Sequence, residues 1–340
     1  MRKTKILILV LLGLAFGIVI GGWLRSTPAK SETVVVKERH YVFNGGLMAQ
    51  PFWKEVISAI KQMTAATPGL KIDFGGPADL DPGKQIEELE AIIESKPDGI
   101  VVFATDPKSL GPTINKAMAQ GIPVVTMWAD VASSKRMTFI SAPEKESAEQ
   151  LIQKALADHP ELLSQKTKVL VSLPAPGMTS TDERLEGVKE VLTNYPSLEL
   201  TQVVSDEASD VKATEAISAA LQRNPDIKII FGLDARSAIG AISALKERGA
   251  KKGEVVVTGW DGDEDVLRGI QEGWIHSTSI LNISLSIQTA FSILESAHLG
   301  YLYPTILQLK EKNLPTLPSR LEIPEVLVNQ KNVAGYFHKK

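Results

Sequence analysis

No cysteine occurs in the 340 residues of the chain. Its absence excludes disulfides, Cys-based zinc sites, thiol nucleophiles and a lipid-modified N-terminal Cys. Positive charge is not in excess either: 37 Lys and Arg stand against 40 Asp and Glu, a formal net charge of −3. Beyond the N-terminus no Lys/Arg cluster is interleaved with aromatics, so nucleic acid is not an expected partner. A Gly-rich phosphate cradle and a Gly-x-Gly-x-x-Gly turn are both missing, which removes the nucleotide-binding fingerprint. The five His, at 40, 159, 276, 298 and 338, have no metal-ligand spacing. No metal, cofactor or catalytic residue is therefore expected. Two Ser-x-x-Lys matches, Ser58 to Lys61 and Ser243 to Lys246, fall inside amphipathic helical patterns and read as chance.

What is present is enough apolar material, 44% against 23% charged, to fill two ordinary domain cores. Arg2, Lys3 and Lys5 precede Ile6 to Leu24, a run without a charge. A cleavable signal has an apolar core of roughly 7–15 residues and a spanning helix needs about 20, so the run falls between them. Thr27-Pro28-Ala29 is a poor cleavage site. Residues 1–29 thus read either as a signal peptide or as an N-terminal membrane anchor. In either case the basic residues hold the N-terminus in the cytoplasm and place the rest in the periplasm or on the extracytoplasmic face. The inner membrane is touched only through residues 6–24, if uncleaved. Removing residues 1–29 takes away Arg2, Lys3, Lys5 and Arg25 and leaves an acidic body of charge −7.

After a polar tether at 25–33, strand and helix signals alternate. Tyr41-Val42-Phe43, Ile100 to Phe103 and Ile122 to Val125 are strand-like. Between them Phe52, Val56, Ile60 and Met63, then Ile86, Leu89 and Ile93, have helical spacing. The alternation repeats with Lys168 to Val171, Leu198 to Val204, Ile227 to Phe231 and Val255 to Val257, separated by helices near 183–194, 211–222 and 236–248. Strand–helix–strand units of this length imply parallel strands with right-handed crossovers. The expected fold class is α/β, with two doubly wound, Rossmann-like lobes. The repeat is architectural, without strong identity between halves.

Val255-Val256-Val257-Thr258-Gly259-Trp260-Asp261-Gly262 carries the most information. Three β-branched residues suit a strand buried on both faces, and the glycines let the backbone turn after it. Asp261 then stands at a strand's carboxyl end, where ligands bind in open α/β sheets. Asp263, Glu264 and Asp265 are what any helix N-terminus favours.

These residues, with Gly273-Trp274-Ile275 after a short helix, resemble the late strand of type I periplasmic sugar-binding proteins, the ribose-binding-protein-like group. The resemblance extends over nearly all of residues 38–335. It implies the type I periplasmic binding protein fold, with hinge strands near residues 138, 282 and 320. The lobes it implies are 34–137 with 283–320, and 138–282 with 321–340. In that family the Asp equivalent to Asp261 hydrogen-bonds a sugar hydroxyl.

The same resemblance nominates further residues. Phe52 and Trp53 follow Pro51, where family members commonly carry aromatics; Trp53 is either core or an apolar plate with an N–H donor. Asp130 and Arg136 match the second Asp and the Arg of a segment ending the first lobe, while Trp128 replaces the first Asp. An acceptor has become an aromatic plate. Arg184 and Gly187 fit a loop–helix segment of the second lobe, and Asp182 stands where ribose-type proteins carry a sugar-binding Arg. Asp234 falls where the family often has Asn, and is either a helix cap or an acceptor selecting hydroxyl or amino donors. Asn282 falls at a hinge position that commonly reaches ligand.

The function implied is capture of a sugar-like, polyhydroxylated molecule between the lobes and delivery to an ABC importer, whose permease is the partner. An alternative is a membrane-anchored receptor read by a sensor kinase or chemoreceptor. A doubly wound enzyme of unknown chemistry is the reading from another class. Repressor relatives of the fold are excluded, because an apolar span stands where their helix-turn-helix would precede the lobes.

Overall fold

The computed structural model of the chain describes residues 38–301 and 317–337. The charge-free run 6–24, the signal or anchor read from it, the tether and Pro315 lie outside the described residues. Among the described residues no helix is long and apolar enough to cross a membrane.

The first lobe runs β1 (Arg39–Asn44), α1 (Phe52–Ala66), β2 (Leu70–Gly75), α2 (Pro82–Glu94), β3 (Gly99–Val102), α3 (Pro107–Ala119), β4 (Val124–Met127) and β5 (Phe139–Ser141). The second runs α4 (Glu144–Asp158), β6 (Thr167–Leu173), α5 (Thr179–Thr193), β7 (Leu198–Ser205), α6 (Asp210–Arg223), β8 (Ile227–Gly232), α7 (Ala235–Glu247), β9 (Val256–Trp260), α8 (Glu264–Glu272) and β10 (Ser277–Ile280). The chain then returns through α9 (Ile283–His298) and β11 (Arg320–Glu322) to the first lobe, and ends in the second with β12 (Val326–Asn329). Strand order is β11-β5-β4-β3-β1-β2 in one sheet and β12-β10-β9-β8-β6-β7 in the other. All ladders are parallel except that of β12 on β10. The fold is α/β, two doubly wound lobes of the same winding.

Both faces of each sheet are apolar, as parallel sheets between helices require. In the first lobe Tyr41, Phe43, Val101 and Val125 face α1 and α9, while Ile100, Val102 and Val124 pack with Leu89 and Ile93 of α2 and Leu110 and Ile114 of α3. Successive strand residues point to opposite faces, so a continuous apolar run feeds two cores at once. In α9, Ile283, Ile287, Ala290, Phe291 and Leu294 form the buried stripe at helical spacing. Each such aliphatic side chain contributes about 1.5–3 kcal/mol by leaving water. Start signals are local: Asp81 caps α2, Asp106 caps α3, and Pro82 and Pro107 open them.

The strand ladders move two of the expected lobe boundaries. Phe139 to Ser141 pairs with β4, and Arg320 to Glu322 pairs with Phe139 to Ser141. Both strands therefore complete the first sheet, and the chain leaves that lobe after Ser141 and after Glu322 rather than at residues 137 and 320. The remaining crossing lies between Ile280 and Ile283.

Helices α6 and α7 pack tightly at Gly240, where a Cβ would stand 2.3 Å from the Ala213 Cβ and 2.8 Å from its carbonyl carbon. The nearest neighbour is a Cβ fixed to its backbone, and backbone atoms of Ala213 and Thr214 follow at 2.8 Å, so little can yield. Gly240→Ala is expected to cost about 1–3 kcal/mol by overpacking. Urea unfolding checks it, and an unchanged midpoint would show that the two helices can separate freely.

Candidate functional site

Loops at the carboxyl ends of both sheets surround a cavity of about 90 Å³. This is the edge at which open α/β sheets bind ligands. The β1–α1 loop supplies Gly46, Leu47 and Gln50, and α1 supplies Phe52 and Trp53. Phe103 follows β3 and Trp128 follows β4. From the second lobe come Pro174, Met178, Ser180, Thr181 and Arg184 around the start of α5, then Ala208, Asp234 and Asp261 after β7, β8 and β9. Leu281 lies on the crossing between the lobes.

The first-lobe wall is aromatic. The Trp53 ring lies 5.1 Å from Phe52, 5.5 Å from Phe103 and 6.3 Å from Trp128, with Phe43 and Phe74 behind it at 5.7 and 5.5 Å. Trp53 is both core and lining. Its indole N–H donates to the Leu47 carbonyl at 2.9 Å and so is spent within the loop. Trp128 holds a left-handed φ of 60°, and its buried indole N–H has no hydrogen-bond partner among the described residues.

Strained backbone gathers here. Of the six non-glycine residues with positive φ among the described residues, Leu47, Trp128, Ala208 and Asp261 line the cavity and Glu207 adjoins it. Such conformations cost roughly 1–3 kcal/mol each and persist where surroundings over-determine them. The Asp261 turn shows how: its N–H donates to the Ser279 carbonyl at 2.8 Å, and its carbonyl accepts from the Thr278 hydroxyl at 2.9 Å. The backbone is fixed on both sides, while the carboxylate accepts no hydrogen bond from the described residues. Burial raises the Asp261 pKa well above the usual carboxylate range, against the pull of Arg184.

Asp234 caps α7, accepting from the Ser237 N–H at 2.8 Å. Burial raises its pKa, opposed by the Ser237 hydrogen bonds and by Arg236. Arg184 is buried, with two of its nitrogens and one face of the guanidinium engaged. Its Nε donates to Glu144 Oε2 at 2.7 Å, its Nη1 to the Leu233 carbonyl at 2.8 Å, and the guanidinium lies 4.1 Å from the centroid of the Trp260 ring.

Three expected site residues are not brought to the cavity. Asp130 is buried, but its carboxylate is taken by both Nε and Nη2 of Arg136 and by the Thr126 hydroxyl. The match to the family's Asp and Arg is here an internal ion pair. Asp182 is exposed, and its carboxylate accepts from the Gly177 N–H at 3.0 Å, bracing the loop before α5. Asn282 caps α9 through the Leu285 N–H at 3.2 Å. Each side chain is satisfied by a neighbour within six residues. Phe52, Trp53, Trp128, Arg184, Asp234 and Asp261 do line the cavity.

Gln50, Phe103, Ser180 and Thr181 were not nominated from sequence. Gln50 makes a bond across the cleft, its Nε2 donating to the Ala208 carbonyl at 2.8 Å. That carbonyl is presented by Asp206, which accepts from the Ala208 N–H at 2.9 Å and from the hydroxyls of Ser172 at 2.9 Å and Ser237 at 2.5 Å. Asp206 just after a strand's carboxyl end was the available signal. Among the described residues no cluster of His, Asp or Glu could hold a metal ion.

Against known proteins, the family described as periplasmic binding protein domain matches residues 42–297, well over half of the chain. The chain belongs to that family. This periplasmic binding protein is similar to the ribose import binding protein of Bacillus subtilis, 26% identical over 204 residues, 59% of this chain and 63% of that protein. It is also similar to the xylitol-binding protein of Mycolicibacterium smegmatis, 24% identical over 223 residues, 64% of this chain and 61% of that one. The matched regions thus span under two thirds of those relatives. A sugar-binding protein of a sugar ABC transporter from Bacillus halodurans superposes with a TM-score of 0.76 at 25% identity, covering 88% of this chain and all of that one. The solute-binding protein of Agrobacterium vitis bound with α-D-tagatopyranose shares the fold, with a TM-score of 0.75 at 21% identity over 89% of this chain and 100% of that one.

In this family member burial, and secondarily the charge of Asp234, push the Asp206 carboxyl up to about 7. A carboxyl whose pKa is higher folded than unfolded binds more protons in the folded state, so stability falls as pH rises from about 4 to 7. Asp206→Asn should flatten that slope. Thermal midpoints at pH 5 and pH 7.5 check it; an equal fall in both proteins would show that Asp206 does not titrate in this window.

Proposed function

We propose that this chain is an exported solute-binding protein that closes its two lobes on a sugar-like small molecule and delivers it to an ABC importer. The observation that carries the proposal is the cavity itself, built from strand carboxyl ends of both sheets, with the Asp261 carboxylate held in place and unspent. Aromatic plates suit the C–H face of a sugar ring, and fixed carboxylates accept from hydroxyls. The names of the ribose- and xylitol-binding relatives support the same ligand class.

The mechanism follows from the connections. Three crossings join the lobes, and Gln50 meets Ala208 at 2.8 Å on the opposite side of the cleft. A ligand touching both walls favours the closed form because only that form makes both sets of contacts. The importer's permease then reads closure. A binding role and not an enzymatic one is the reading that membership of the periplasmic binding protein family supports.

A second reading keeps the fold and makes the chain a membrane-anchored receptor, its closed form read by a sensor kinase or chemoreceptor. The charge-free run from Ile6 to Leu24 favours it, being longer than a signal core requires. Either role places the lobes outside the cytoplasmic membrane.

Thermal-shift measurements against pentoses, hexoses and polyols test the common part. A ligand at 100 times its Kd adds about 2.7 kcal/mol, enough for a clear rise in Tm. Asp261→Ala is expected to lower the ligand-free midpoint slightly, since Ala is less at ease at positive φ, and to abolish the ligand-induced rise. A full rise retained in the variant would remove Asp261 from the site.

A further inference from the structure

The charges around the cavity do not balance. Asp234 and Asp261 line it, and the cation beside them, Arg184, is already matched by Glu144 at 2.7 Å. Arg236, the next cation along the second-lobe wall, is committed to Asp210 and Asp263. Behind Asp234 stands Asp206, which shares Ser237 with it: Asp234 takes the Ser237 N–H and Asp206 the hydroxyl. Neither lining carboxylate has an ion-pair partner among the described residues.

The opposite wall supplies no positive charge, and its one unspent side-chain donor among the described residues is the neutral indole N–H of Trp128. Gln50 is spent on the Ala208 carbonyl, and the Trp53 N–H is spent on Leu47. The rest of that wall is the negative π faces of Phe52, Trp53, Phe103 and Trp128, which attract a cation within about 6 Å of a ring. A hydroxyl brings no charge, so a carboxyl that burial holds toward its neutral form stays there. An ammonium supplies charge and up to three donors at once, and buried charges are tolerated when paired.

We infer that the ligand carries a protonated amine, seated between the aromatic wall and the Asp234 and Asp261 carboxylates, on a compact polyhydroxylated ring of the amino-sugar or imino-sugar kind. This rests on the solute-binding reading and narrows its ligand class. Trp128, where the ribose-type pattern has an Asp, adds an aromatic face to the same wall.

The test is titration calorimetry of the full chain at pH 7 with matched probes: D-glucosamine against D-glucose, D-galactosamine against D-galactose, and 1-deoxynojirimycin against 1,5-anhydroglucitol. In at least one pair the amine is expected to bind about tenfold or more tighter, the difference between a charge-assisted and a neutral hydrogen bond. N-acetylation, which keeps the nitrogen and removes the charge, should erase the advantage. Asp261→Asn and Asp234→Asn suit the local backbone, since Asn tolerates positive φ and caps helices as well as Asp. Each should cost the amine more than its neutral counterpart. Neutral sugars binding as tightly as the amines in every pair would overturn the inference and leave the solute-binding reading standing. Binding of no probe of either kind would overturn the inference and count against that reading as well.

Discussion

A guanidinium out of water must be answered on every side, and the centre of this protein is arranged around answering one. Arg184 of α5 meets Glu144 at the first residue of α4, directly after the chain's first crossing between lobes. Its flat face rests on Trp260 at the end of β9. The Trp260 indole in turn donates at 2.9 Å to Glu325, on the last crossing, and Glu325 also accepts from Ser279 of β10 at 2.9 Å. Removing one member of a buried pair strands the other, at a cost of roughly 3–5 kcal/mol. Glu144 shows the strain of its position: burial pushes it up to about 7, with Arg184 opposing. Two crossings, a binding-wall helix and the strand that ends in Asp261 are thus tied through one charge.

That arrangement divides labour between the lobes. The first lobe contributes planes, since its strands end in Phe103 and Trp128 and its first helix opens with Phe52 and Trp53. The second contributes fixed charges and hydroxyls, each carried on a strand end or the first turns of a helix. Backbone held at positive φ on both sides shows that these positions are imposed by surroundings and not by residue preference. The cavity surface is therefore preorganised, and preorganisation lowers the ordering cost of binding.

The same winding in both lobes explains why one cleft collects so many loops. With order β2-β1-β3-β4-β5 in one sheet and β7-β6-β8-β9-β10 in the other, each sheet has a switch point beside its central strand. The crossings bring the two carboxyl edges face to face. Strands β11 and β12 then add to the outer edges, β11 with the first lobe and β12 with the second, so the chain's last segment ties both.

The sequence by itself determined the alternation of strand and helix, the parallel winding and the strand ends where a ligand would sit. These follow from runs of β-branched residues and helical spacing, which neighbours along the chain establish. Asp261 was legible for that reason, whereas Trp53, Trp128, Asp130 and Asp234 were nominated through the family resemblance. Short strands were less so: β2 alternates as an edge strand, and β5 and β11 have three residues each and gain their identity only from pairing with each other. Tertiary structure alone decided which polar groups are free. Asp130, Asp182 and Asn282 have the same chemistry as the lining acceptors, yet are consumed by Arg136, Gly177 and Leu285. Arg184 and Glu144 are forty positions apart, and Trp260 and Glu325 sixty-five, so their matching is invisible to any local pattern. A hydrogen bond or ion pair depends on separation in space, and that is set only when the two sheets have packed.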